Sequence, residues 1–167
     1  MNHTKKITEF SIFTALAFVF SYMEALFPLP LPFPGIKLGF ANLILLFALY
    51  RKNYRYALSL SLLRNILNAV TFGNAFSLIY SIAGGLLSLS LMALFKKWGH
   101  KRFSPISVSA VGGVAHTMGQ LVVAGCVVGF DSILGYLPFL YFGGLITGVL
   151  IGTITNQCMK RLPIQHF

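Results

Sequence analysis

Long apolar runs alternate with short polar punctuation along this chain. Set against the roughly 20 residues an α-helix needs to cross a bilayer, six runs stand out: Ile7–Phe27, Gly35–Tyr50, Tyr54–Phe72, Ala75–Phe95, Pro105–Phe130 and Tyr136–Met159. The second is short and amphiphilic at its start. The connections are brief and polar or carry Pro and Gly. The exception is Pro28-Leu29-Pro30-Leu31-Pro32-Phe33-Pro34-Gly35, which cannot be helical, because each proline lacks an amide donor and restricts its predecessor. The start, Met1–Lys6 and then an apolar run from Ile7, imitates a signal peptide. The run is too long, however, and no small-x-small cleavage site follows, so it reads as a retained first helix. The pattern predicts an all-α polytopic membrane protein, residues 1–167 forming one domain of six transmembrane helices.

Composition agrees. Of 167 residues, 56% are hydrophobic and 10% charged, with a mean hydropathy of +0.78; a soluble domain carries about a quarter charged residues. The net charge of +10 would suggest nucleic acid if the basic residues shared one face or tail. Instead they fall in alternate loops: Lys5 and Lys6; Arg51, Lys52 and Arg55; Lys96, Lys97, Lys101 and Arg102; Lys160 and Arg161. The opposite loops hold Lys37 and Asp131 and little other charge. The positive-inside rule therefore puts both termini in the cytoplasm, the proline-rich loop outside, and the protein in the cell membrane with no nucleic-acid partner. Cys126 and Cys158 lie in different apolar runs, with no metal-ligand spacing, and read as small packing residues.

Polar groups inside spans need a reason, since a mid-helix arginine costs about 2.5–3.5 kcal/mol on insertion scales. Arg64 lies near the middle of the third run, with Asn68 one turn outward on the same face. His116 lies near the middle of the fifth, with Gln120 one turn outward. Glu24 is near the outer end of the first run, and Asn42 in the outer half of the second. The inner halves carry mainly Ser and Thr, with Asn156. Charges and amides from four helices at one depth predict a polar cavity opening outward, roofed by the proline-rich loop. Taken singly, each residue keeps a plainer reading. Arg64 serves either a ligand or a structural pairing with Glu24 or backbone carbonyls. His116 and Gln120 serve either a ligand or interhelical packing, worth about 0.6 kcal/mol each; Asn65 reads as packing, and Glu24 could face only the outer interface. Tyr22, Phe27, Phe33, Tyr136 and Phe139 sit at the outer level. The pairs Gly84-Gly85, Gly112-Gly113 and Gly143-Gly144, and the series Gly144, Gly148, Gly152, predict close helix packing.

Catalytic chemistry is not indicated. There is no G-x-x-x-x-G-K-[ST] phosphate loop. The three acidic residues, Glu9, Glu24 and Asp131, are far apart, whereas a Mg²⁺-diphosphate site needs clustered carboxylates. No metal or other cofactor is expected.

Several motifs resemble one family. Pro34-Gly35-Ile36-Lys37-Leu38-Gly39-Phe40-Ala41-Asn42 is similar to the PG-[IV]-K-LG-x-AN signature of the Gx transporter family. Ser81-Ile82-Ala83-Gly84-Gly85-Leu86-Leu87-Ser88 resembles its fourth-helix motif. Ser107 through Gln120 resembles S-x-x-G-x-x-x-H-N-x-G-Q, with Thr117 standing where the pattern has Asn. Tyr136-Leu137-Pro138 followed by Gly143-Gly144 completes the series. The resemblance extends to the substrate-binding (S) components of energy-coupling factor transporters. It implies a six-helix bundle with a ligand cavity near the outer side and a lid between helices one and two. It also implies a separate transmembrane coupling subunit with two ATPases as partners. Small residues of the first helix form the docking face in such proteins; here Ser11 and Ala15, then Ala17, Ser21 and Ala25, keep the four-residue spacing. The same family carries the name heptaprenyl diphosphate synthase component I, which implies a prenyl diphosphate synthase catalytic subunit, or a quinone- or flavin-linked redox system, as alternative partners.

Two functions are expected from these observations. One is uptake of a small anionic molecule bound by Arg64, Asn68, His116, Gln120, Asn42, Lys37 and Glu24 under a Pro28–Lys37 lid. The other is a non-catalytic membrane subunit of the synthase or redox system. An ion-coupled transporter working alone would need a carboxylate at the midplane, where the sequence has none.

Overall fold

A computed structural model describes residues 3–26, 39–99 and 102–161, and these are helical apart from short connections. The proline-rich Pro28–Lys37 segment with its proposed lid role, and with it Phe27, Phe33 and Lys37, lies outside the described residues. The helices are α1 (His3–Leu26), α2 (Phe40–Arg51), α3 (Tyr54–Phe72), α4 (Ala75–Trp98), α5 (Pro105–Val128), the single turn α6 (Phe130–Ile133), and α7 (Leu137–Arg161), which follows a 3₁₀ turn at Leu134–Tyr136.

Local chemistry sets the boundaries. Asn53 and Asn74 stand in extended backbone before α3 and α4, and each side-chain oxygen accepts a first-turn amide, from Tyr56 and Ser77, at 2.8 Å. Ser104 does the same for α5 by accepting from Ser107 at 3.2 Å, and Pro105 occupies the first helical position, where its missing donor costs nothing. These capping residues leave α3 with the bounds the apolar run predicts, Tyr54–Phe72. Other boundaries differ, those of α2 and α7 among them. α1 begins at His3 and α4 continues to Trp98, because lysines that end an apolar run do not end a helix. The fifth run was expected to reach Phe130, but α5 stops at Val128 because Gly129 takes φ +88°, a conformation other residues rarely adopt.

Four helical stretches are long and apolar enough to cross a membrane: His3–Leu26, Ala75–Trp98, Pro105–Val128 and Phe130–Arg161. α3 has the length, 19 residues, but Arg55, Arg64, Asn65 and Asn68 lower its hydropathy. α2 has 12 residues, about 18 Å at 1.5 Å per residue. The outward faces are apolar: Ile12 is 55% exposed, Val127 63% and Ile146 59%. So much exposed large aliphatic surface suits lipid and not water, and this is a membrane protein.

The helices close a ring. α1 packs on α2, α2 on α7, α7 on α5, α5 on α4, α4 on α3, and α3 returns to α1, with α2 also touching α3. One end of the ring is basic and tightly tied. Arg51 donates to the carbonyl of Met159 at 2.9 Å, Lys96 to that of Leu49 at 2.7 Å, and Lys52 pairs with Glu9 at 2.6 Å. Arg51, Lys96, Lys97, Lys160 and Arg161 all lie in last turns, where the helix dipole favours cations. Just inside this end Leu46, Leu49, Ala57, Leu89, Met92 and Val108 fill the ring with apolar side chains. The other end is open enough to hold a cavity.

The glycines make the α5–α7 seam. A Cβ on Gly148 would lie 2.6 Å from the Ser109 carbonyl oxygen, one on Gly144 2.7 Å from that of Gly113, and one on Gly152 2.7 Å from the Ile106 Cα. Gly84 and Gly119 repeat the contact between α4 and α5: a Cβ on Gly119 would lie 2.8 Å from the Ala83 carbonyl oxygen and 2.9 Å from the Gly84 Cα. Backbone meets backbone along both seams, which is the packing that small residues permit in lipid, where apolar burial gives helices little reason to associate.

Candidate ligand cavity

A cavity of about 220 Å³ occupies the end of the ring away from the basic residues. Its wall takes Glu24 from the last turn of α1, Gly39 and Asn42 from the start of α2, and Arg64, Asn65, Asn68 and Phe72 from α3. α4 adds Ser77 and Ser81, and α5 adds His116 and Gln120. The six predicted residues inside the described chain, Glu24, Asn42, Arg64, Asn68, His116 and Gln120, therefore line one space. Lys37 lies outside the described residues. Tyr136 and Phe139 are not on the cavity's lining. Tyr22 reaches the wall only through its ring contact with Phe72, centroids 5.9 Å apart.

Arg64 is 6% exposed. Its Nη2 donates to Asn65 Oδ1 at 2.8 Å and its Nη1 to Asn42 Oδ1 at 3.4 Å. Asn65 in turn donates to the Ser81 carbonyl at 3.3 Å, so α4 fixes the amide that fixes the guanidinium. No carboxylate pairs with it: among the described residues the one ion pair joins Lys52 to Glu9. Arg64 Nε and Asn68 Oδ1 are buried without a hydrogen-bond partner among the described residues. Two neutral amides offset part of the cost of burial, at about 1.5–3 kcal/mol for each hydrogen bond to a charged group, but they leave a whole positive charge facing the cavity. Such a site is built to donate a charge-assisted hydrogen bond to an oxyanion.

Glu24 makes no ion pair with Arg64, although its charge acts on the guanidinium across the cavity. Its Oε1 accepts the Gly39 N–H at 2.6 Å, and Gly39 has φ +71°, so a glycine is needed where the chain turns into α2. Gly39, Asn42, His116 and Gln120 also border a second, smaller cavity of about 60 Å³ between α2, α4, α5 and α7. Thr117 lies on that smaller lining, yet its hydroxyl bonds back to the carbonyls of Gly113 and Val114 at 3.3 and 2.9 Å, so it offers no amide in place of the expected Asn.

Asn65 was read as a packing residue. Its position next to Arg64 turns its Cα about 100° away on the helix, but the long arginine side chain bends back to reach it. Gly39 was visible only as part of a motif, and its positive φ before α2 is what brings its amide to Glu24.

Fold and site define a helical membrane protein with a polar, cation-bearing cavity at one end. Residues 13–158 match the family model described as heptaprenyl diphosphate synthase component I, and the chain belongs to that family. Neither the curated proteins nor the solved structures include a match to the chain.

Proposed function

We propose that this protein is the membrane-embedded ligand-binding component of a small-molecule uptake system. The observation that carries the reading is a buried arginine with no acidic partner, facing a cavity at the end of the ring opposite the basic residues. Residues 1–167 form one bundle of six spans. α3 crosses with the long helices because its polar positions face a cavity and not lipid, and α2, too short at 12 residues to cross alone, is counted as a span through the apolar sequence run that begins at Gly35. Both termini and the basic end lie in the cytoplasm of the cell, and the cavity opens outside. The ligand carries a carboxylate or phosphate on Arg64, is oriented by Asn42, Asn68, His116 and Gln120, and is approached by Glu24 and Lys37. Its passage is driven by a coupling membrane subunit with ATPases, since this chain has no phosphate loop. The protein is not itself a catalyst: Glu9, Glu24 and Asp131 belong to the basic end, the cavity and α6 respectively.

A second reading has one observation in its favour, the family's description. In that reading the protein is the non-catalytic membrane subunit of a heptaprenyl diphosphate synthase, or of a quinone- or flavin-linked redox system, and the cavity holds part of that assembly's substrate.

Sidedness is tested by Ser77→Cys in a protein whose native thiols, Cys126 and Cys158, are replaced. A membrane-impermeant thiol reagent added to intact cells is expected to modify Cys at 77. Modification only after the membrane is opened would place the cavity on the cytoplasmic side and contradict the uptake reading.

A further inference from the structure

The cavity's described wall carries one cation, Arg64, and one anion, Glu24. Opposite charges sharing a small space would be expected to pair, because their attraction grows as their separation falls. They form no ion pair: no guanidinium nitrogen comes within 4.0 Å of a Glu24 carboxylate oxygen, although Glu24 is near enough for its charge to act on Arg64. Each is held by neutral partners instead, Arg64 by the amides of Asn42 and Asn65, Glu24 by the Gly39 N–H on Oε1 alone. The second carboxylate oxygen of Glu24 and the Nε of Arg64 are left for something else.

A simple anion seated on Arg64 would meet the field of Glu24 across the same space, and a simple cation on Glu24 would meet Arg64. A molecule with both charges satisfies both walls and adds no net charge to the membrane interior. Size points the same way. About 220 Å³ is below the roughly 300–1,000 Å³ of sites for drug-sized ligands, which suits a molecule small enough to meet both charged groups of one lining. The surrounding Asn68, Ser77, Ser81 and Gln120 offer hydrogen bonds to a short polar body.

We infer that the cavity selects a small zwitterion, seating its acid group on Arg64 and its ammonium group on Glu24, in preference to a simple anion. The inference rests on the ligand-binding reading above and narrows its substrate class.

The test is equilibrium dialysis of the full-length protein in lipid nanodiscs against a defined mixture, read by mass spectrometry of the retained compounds. The mixture contains the standard amino acids and short ω-amino acids. It also contains mono- and dicarboxylates, inorganic phosphate, simple amines and small neutral sugars. One or more zwitterions should be retained above every other class. Glu24→Gln keeps the acceptor for Gly39 but not the charge. It should weaken zwitterion retention by at least about tenfold while leaving the simple acids as well bound or better.

Retention of acids or phosphate at least as strong as that of any zwitterion would overturn the inference and leave uptake of an anion standing. Retention of amines or sugars alone would overturn it and the anionic-ligand reading together, as would retention of nothing. Zwitterion binding indifferent to a folded Glu24→Gln variant would remove Glu24 from the site. If that variant does not fold, the wild-type order of retention alone decides.

Discussion

Arg64→Ala is expected to abolish ligand binding and uptake while the protein still folds. The guanidinium is the one described cation on the cavity wall, and two side-chain amides hold it in place, one of them anchored in turn by the Ser81 carbonyl. Truncating one member of a desolvated, hydrogen-bonded charge pair costs about 2–5 kcal/mol of binding, which is a loss of about 30-fold to several thousandfold in affinity. The cost to folding runs the other way. An arginine without an acidic partner is expensive to bury, so its removal relieves that cost and leaves Asn42 and Asn65 on a cavity that water can enter. The melting transition should change by no more than about 1 kcal/mol. Arg64→Lys keeps the charge without the planar fork and should fall between the two, losing about tenfold in affinity. Uptake in cells carrying each variant, beside thermal unfolding of the purified proteins, separates binding from stability. Normal uptake by a folded Arg64→Ala protein would remove the site.

Gly113→Leu is expected to do the opposite and damage the fold first. A Cβ at Gly113 would run into the Gly144 carbonyl oxygen and come 3.0 Å from the Gly148 Cα, and both obstacles are backbone. Neither can rotate away as a side chain would. Overpacking of this kind costs about 1–3 kcal/mol and sometimes more; a full leucine wedged between two helices that touch along Gly144, Gly148 and Gly152 should sit at or above the top of that range. Gly135→Ala is the control, since nothing lies within 4 Å of the added atom, and it should shift stability by less than about 0.5 kcal/mol. Thermal unfolding in detergent, followed by size-exclusion chromatography, compares them. A Gly113→Leu protein melting with the wild type would mean that α5 and α7 do not meet along this seam.

The two predictions draw on different kinds of legibility. Depth along a helix is written in the sequence. Arg64 and Asn68, and His116 and Gln120, each stand four residues apart, and their shared level could be counted from the ends of the runs. The order of helices around the ring was not written there. That α2 lies between α1 and α7, and α3 between α1 and α4, depends on which glycine faces fit which backbones, and apolar pattern alone cannot select among them. Contact between neighbours in sequence was also hidden. Asn65 belongs with Arg64 because a flexible side chain crosses the helical offset. Helix ends show a third limit, since hydropathy marks where lipid ends while capping residues mark where a helix ends. The two coincide at Tyr54 and Phe72 but part at Trp98 and at Gly129.

As the ligand-binding component of an uptake system, this chain would hand its ligand to an energised transport machine. A tagged copy expressed at natural level, extracted from native membranes in mild detergent and captured with its companions for mass spectrometry, tests this most directly. A membrane coupling subunit together with its ATPases should be recovered. Recovery of a prenyl diphosphate synthase subunit or a redox enzyme, with no ATPase, would contradict it and make the membrane-subunit reading the correct one.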